Sequence, residues 1–326
     1  MSDIAVAMLP TALETEIDPT LDLFEEIQRL KAETDTVLLA HYYQENDIQD
    51  VADFIGDSLD LARKAQQATN RRILFAGVHF MAETAKILNP DKVVLIPDLR
   101  AGCSLAESCP PDEFAHFKQQ HPGHLVVTYI NCSAEIKALS DIIVTSTNAV
   151  DIVKSIPRDQ PIIFAPDRFL GAWVQKRAGR EMVLWNGSCI VHETFSHKRL
   201  VQLKVQFPEA VAIAHPECPE AILDEASFVG STRKLLNHVS ENPADTFIVI
   251  TEPGILYQMQ KNEPGKTFIP ALGEDESCAC NNCPFMKMNT LEKVYRTLLT
   301  GTPELTMDEQ LRQRAEHSLL AMLERS

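Results

Sequence analysis

The sequence predicts an α/β protein: a three-layer α/β/α sandwich with a parallel sheet, triplicated around a pseudo-threefold axis, with the active site at the centre. Three observations carry this. Strand-like apolar runs end at His41, Tyr129 and His215, in TVLLAHYYQ, HLVVTYINC and AVAIAHPEC, at steps of 88 and 86 residues. A hydroxyl follows each anchor by 17 residues, at Ser58, Ser146 and Thr232. A cysteine closes each unit, Cys103, Cys189 and Cys283, lying 62, 60 and 68 residues past the anchors. Matches that recur in consecutive units are the mark of an internal repeat.

The elements follow in order. In the first unit TVLLAHYYQ (36–44) is a continuous apolar run, as a strand buried on both faces requires. VADFIGDSLDLARKA supplies a short second strand and then a helix opened by Ser58, with apolar residues returning every three or four positions. RRILFAGVHF is a third strand leading into another helix, and KVVLIPDLRAGCSLAESC a fourth strand followed by Cys103. The second unit repeats this with HLVVTYINC, LSDIIVTSTNAVDIVKS, QPIIFAPDRF and REMVLWNGSCIVHETF. The third does so with AVAIAHPEC, ILDEASFVGSTRKLLNHVS, DTFIVITEPG and KTFIPALGEDESCACNNCPFM. Alternating strands and helices make βαβ units with right-handed crossovers. The expected repeats span 20–106, 107–192 and 193–300, with 301–326 a C-terminal helical tail. The tail and the N-terminal segment are expected to pack on the outside and carry no chemistry. Functional groups of parallel sheets collect beyond the carboxyl ends of the strands. The anchors, hydroxyls and cysteines all fall there.

Composition narrows the function. Thirty Lys+Arg against 46 Asp+Glu give a net charge of −16, which argues against a nucleic-acid or membrane-surface protein. No apolar run approaches the ~18 residues of a membrane span. The opening residues lack the basic and apolar regions of a signal peptide, so a cytoplasmic protein is expected. Eight cysteines in such a chain point to metal binding or redox chemistry rather than a disulfide framework. Walker and Rossmann phosphate loops are absent.

One cysteine per repeat brings three thiolates to one axis. They suit zinc with an open position. They equally suit a cubane iron–sulfur cluster, whose unligated iron is then free to act as a Lewis acid. An electron-transfer centre is a third reading, although four ligands are usual there. Cys109 has no counterpart, and Gln44 fills the place of Cys132 and Cys218 in the first repeat, so these three read as structural. Cys278 and Cys280 crowd Cys283 as accessory ligands or a redox pair. Hydroxyls at helix starts bind carboxylate or phosphate, though Ser and Thr also serve there as plain caps.

HYYQ, GDSL, AGCSLA, TYINCSAEIKA, CIVHE, HPEC, VGST and CPFMKMN, in this order over about residues 20–300, closely resemble the bacterial quinolinate synthases. The resemblance implies the triplicated fold and one [4Fe-4S] cluster per chain on Cys103, Cys189 and Cys283, with one open iron. It implies condensation of iminoaspartate with dihydroxyacetone phosphate to quinolinate, phosphate and water, on the de novo route to NAD. L-Aspartate oxidase as a transient supplier of the imine, and the iron–sulfur assembly machinery, are the partners implied. The CACNNC run departs slightly from the C-x-x-C-x-x-C of some members, while Cys283 keeps its place before PFMKMN.

Carried over by motif, the cavity residues are His41, Tyr43, Ser58, Phe80, Met81, Tyr129, Asn131, Ser146, His192, His215, Glu217, Ser231 and Thr232. Glu217 is the expected general acid–base. Tyr129 and Asn131, like His41 and Tyr43, are two apart and face one way from a strand, fit to orient a carbonyl or hydroxyl. His41, when protonated, would bind a carboxylate or pass protons on. His192 is expected in the cavity or beside the cluster. Phe80 and Met81 are expected to line an access path.

Overall fold

The structure, a computed structural model, describes residues 17–273 and 281–326; Cys278 and Cys280 lie outside the described residues. Three four-stranded sheets, all parallel, form along the chain. The first contains β1 (Thr36–His41), β2 (Phe54–Gly56), β3 (Arg72–Ala76) and β4 (Val93–Leu95), in the order β2-β1-β3-β4. The second contains β5 (Leu125–Tyr129), β6 (Ile142–Val144), β7 (Ile162–Ala165) and β8 (Val183–Leu184), in the order β6-β5-β7-β8. The third contains β9 (Val211–Ala214), β10 (Phe228–Val229), β11 (Thr246–Ile250) and β12 (Thr267–Pro270), in the order β10-β9-β11-β12. One topology occurs three times, flanked by helices, as the repeat predicts.

Register makes the units superimposable. Ala40 pairs with Ala76, Thr128 with Ala165 and Ala214 with Ile250. The anchors His41, Tyr129 and His215 are the residues directly after Ala40, Thr128 and Ala214. The central strands are apolar through their middles because helices cover both faces. Leu38, Leu39, Val126, Val127, Ile213, Phe247 and Ile248 are all fully buried.

Several helices start where a side chain satisfies their free N–H groups. Asp57 caps the helix Ser58–Gln67 by accepting from Leu59 and Asp60 N–H, and Ser231 caps Thr232–Glu241 by accepting from Lys234 N–H. The hydroxyl of Thr147, from the second unit, lies 3.0 Å from Asp57 Oδ2 and 2.7 Å from Ser231 Oγ. It therefore ties the caps of the first and third units together. Asp167 caps Arg168–Ala178, which ends at Gly179 with φ 60°, a left-handed stop that glycine adopts without strain.

Late segments of the chain return to earlier units. The helix Leu291–Thr300 packs on the helix Leu23–Glu33, and Val294 and Leu298 join Ile27, Leu30, Leu38 and Leu74 in one buried cluster of the first unit. Leu305 N–H then bonds Val94 C=O at 2.8 Å. The final helix Glu309–Leu323 lies on the helix Ala134–Leu139 of the second unit and on His79–Leu88 of the first. Its Ala315, Leu319 and Met322 are fully buried, so it seals the seam between two units. Among the described residues no helix is long and apolar enough to cross a membrane.

Candidate active site

The carboxyl ends of all three sheets open on one cavity of about 640 Å3, counting the space at its mouth. It gathers His41, Tyr43, Ser58, Tyr129, Asn131, Ser146, His192, His215, Glu217, Thr232, Cys103, Cys189 and Cys283, with Phe80 and Met81 in the same wall. Ser231 is fully buried just behind it, engaged with Lys234 N–H and Thr147. Ser58 and Thr232 are each the first residue of a helix whose cap is the preceding residue, so capping does not consume their hydroxyls. Ser146 precedes its helix by three residues, the capping position there being Asn148.

His41 and His215 occupy the same local turn. His41 Nδ1 accepts Tyr43 N–H at 3.2 Å, and His215 Nδ1 accepts Glu217 N–H at 3.4 Å. A neutral ring whose Nδ1 accepts carries its proton on Nε2. Both rings thus offer an Nε2–H donor, and that of His215 lies 3.3 Å from Ser146 Oγ. Burial, with the charge of neighbouring histidines, pushes each imidazole down to about 3 against the pull of Glu217. His41 therefore stands as a neutral donor, because burial costs a charged imidazole more than Glu217 repays.

Glu217 is the hub. Tyr129 Oη donates to its Oε1 at 2.5 Å, and His192 Nδ1 stands 2.9 Å from its Oε2. His192 stacks on His215 at 4.8 Å and reaches Thr251 Oγ1 through Nε2 at 3.0 Å. Burial works to raise the Glu217 carboxyl, but His192 and the Tyr129 hydroxyl, both in hydrogen-bond contact, override it and hold it at about 2. The group is a carboxylate at neutral pH, an acceptor of hydrogen bonds on both oxygens. Tyr43 Oη lies 3.0 Å from Thr232 Oγ1 and 2.8 Å from Thr251 Oγ1. Asn131 Oδ1 is buried and has no hydrogen-bond partner among the described residues, which leaves an acceptor for a ligand's donor.

The three cysteines have a shared setting. Cys103 and Cys189 stand at the N-caps of the short helices Ser104–Glu107 and Ile190–Glu193, and Cys283 enters the turn Met286–Met288. Burial raises all three thiols, that of Cys103 to about 12 and that of Cys283 to about 11, and negative neighbours add to it: Cys283 and Glu217 for Cys103, Glu252 for Cys283, and Glu217 with the other two cysteines for Cys189. Against this, backbone N–H groups point at each sulfur: those of Leu105 and Ala106, of His192, and of Phe285 and Met286. Crowded buried thiols supplied with N–H donors are ill suited to being free thiolates and well suited to sharing a cationic centre. An iron–sulfur cluster fits that donor set. Cys189, His192 and Glu217 form a second set, with S, N and O donors within 4.8 Å of one another.

Sequence reasoning missed part of the wall: Asp57, Thr145 and Glu252 line the cavity, and Thr251 braces it from behind. Glu252 stands two places past the end of β11, where Asp167 stands past β7 and Val78 past β3. Cys109, Cys132 and Cys218 are buried away from the cavity lining.

Comparison with known proteins agrees with this picture. The family model for quinolinate synthetase A protein matches residues 25–324. The quinolinate synthase of Nostoc sp. (strain PCC 7120 / SAG 25.82 / UTEX 2576) is 64% identical over 306 residues, 94% of each chain. That of Thermosynechococcus vestitus is 61% identical, covering 94% of this chain and 96% of its own. That of Chloroherpeton thalassium is 59% identical, covering 94% and 95%.

Proposed function

The chain belongs to the quinolinate synthetase A family, and from that premise we propose that it condenses iminoaspartate with dihydroxyacetone phosphate, yielding quinolinate, phosphate and water for NAD synthesis in the cytoplasm. One observation supports this above others. Three cysteines, one from each sheet, share a buried cavity with a carboxylate–tyrosine–histidine network. Cys103, Cys189 and Cys283 would hold a [4Fe-4S] cluster. When bound, it supplies an iron with one coordination position open to a substrate oxygen, hence Lewis acidity.

The protein's own residues do the rest. The N-termini of Ser58–Gln67 and Thr232–Glu241 present backbone N–H groups and hydroxyls to carboxylate and phosphate oxygens. The Nε2–H groups of His41 and His215 donate to carbonyl or carboxylate oxygens. Asn131 Oδ1 accepts from an imine or hydroxyl. Glu217, a carboxylate fixed from both sides, orients Tyr129 and His192, and the three together form the acid–base centre for the protons released as the carbon–carbon bond and the ring form. Supply of the unstable imine by L-aspartate oxidase and loading by iron–sulfur assembly proteins complete the reading.

Protein purified without oxygen is expected to hold ~4 iron and sulfide per chain and to form quinolinate from the two substrates. Loaded protein that makes none would refute the assignment. Glu217→Gln is expected to keep its iron and lose ~10²–10⁴-fold in kcat. The second donor set favours one other reading, a zinc site on Cys189, His192 and Glu217. Zinc in place of iron and sulfide in active protein would select it.

A further inference from the structure

In the first two units the cysteine loop is held by a backbone donor. His79 N–H bonds Ala101 C=O at 2.6 Å and Arg168 N–H bonds Gly187 C=O at 2.9 Å, in each case two residues before the cysteine. His79 and Arg168 are equivalent, each three places past a third strand ending at Ala76 or Ala165. The same place in the third unit, three past Ile250, is Pro253. Proline has no N–H, so this hold is missing.

Glu252 stands in its stead. The residue is fully buried, and its Oε1 accepts the N–H of Cys283 itself at 3.2 Å. Its Oε2 accepts Gly254 N–H at 2.7 Å. Lys287, one turn past Cys283, lies 3.5 Å from Oε1 and bonds Tyr43 C=O at 3.1 Å. Gly254 permits the approach, since a Cβ there would sit 2.8 Å from Glu252 Oε2 and 2.8 Å from Tyr43 Cα. The carboxylate thus joins the third cysteine to the end of β11 and, through Lys287, to the cavity wall of the first unit.

We propose that Glu252 is a positioning residue that fixes Cys283 for the metal centre, its carboxylate replacing the backbone donor that Pro253 cannot supply. The proposal rests on the reading of the three cysteines as ligands of one iron–sulfur centre. Its test is the rate at which a ferrous chelator strips iron from anaerobically loaded protein. Glu252→Met keeps the length and removes the acceptor, and is expected to lose iron ~10-fold faster. Glu252→Gln keeps one acceptor oxygen for Cys283 N–H, and is expected to hold iron within about twofold of wild type. If Glu252→Met does not fold, Glu252→Asp, which keeps the charge but is one methylene too short to reach Cys283 N–H from the same backbone, takes its place, and iron held there as long as in wild type overturns the role. A folded Glu252→Met that holds iron as long as wild type overturns it too. Wild-type protein that takes up no iron and sulfide overturns both the cluster reading and this role.

Discussion

His41 and His215 show what the cavity demands of single residues. Each gives up its proton because burial outweighs the charge of Glu217. In the unfolded chain a histidine titrates near 6.5, and here both are held at about 3. Between those values the unfolded state binds more protons, so stability falls as pH drops below about 6.5, by up to ~1.4 kcal/mol per pH unit for each ring. Glu217 acts in a lower window: its contribution is complete above about 4.5 and is lost as pH falls through about 2. From pH 7 to 5 the histidines therefore set the slope among these three groups. Thermal melting of the wild type is expected to drop across that range, and His41→Asn to lessen the drop. An unchanged slope in the double variant His41→Asn, His215→Asn would show that neither ring is buried neutral.

At the scale of elements, helix N-termini divide into positions that serve the helix and positions that face the cavity. Ser231 spends its hydroxyl on Lys234 N–H and on Thr147, whereas Ser58 stands one place inside a helix already capped by Asp57. Ser231→Ala is expected to cost ~1 kcal/mol of stability with little change in KM. Ser58→Ala is expected to leave melting unchanged and raise KM for the anionic substrates ~10- to 100-fold, about 1.5–3 kcal/mol for one hydrogen bond to a charged group. Equal effects of both changes on KM would dissolve the distinction. This division was not legible in the sequence, where GDSL and VGST look alike until backbone geometry shows which residue caps. The strands and their threefold order were legible, because two-sided burial forces continuous apolar runs that survive triplication. The hydroxyl and cysteine positions were legible for the same reason. Glu252 was not, since its work depends on Pro253 lacking a donor, a defect visible only beside the paired loops of the other units. The return of Leu291–Thr300 to the first unit was equally hidden: an amphipathic helix names the face it buries and not the partner that receives it.

The whole molecule carries a net charge of −16, yet the proposed substrates are a dicarboxylate and a phosphate ester. No Lys or Arg stands among the described residues that line the cavity, while Asp57, Glu217 and Glu252 do. Attraction must come from short-range groups: helix N-termini, neutral Nε2–H donors and a bound metal centre. These act over a few ångströms and belong to a site of low dielectric, where salt screens little. The repulsion belongs to the exposed carboxylates and acts over distance, where a Debye length of about 10 Å at 0.1 M removes most of it. Raising salt from about 20 to 200 mM should therefore weaken the repulsion more than the binding. kcat/KM for dihydroxyacetone phosphate is expected to rise with added potassium chloride, with kcat nearly constant. A protein that steers its anions through a positive mouth gives the opposite slope. Steady-state rates at fixed pH over that salt range separate the two, and a fall in kcat/KM would mean that cations outside the cavity lining guide the substrate in.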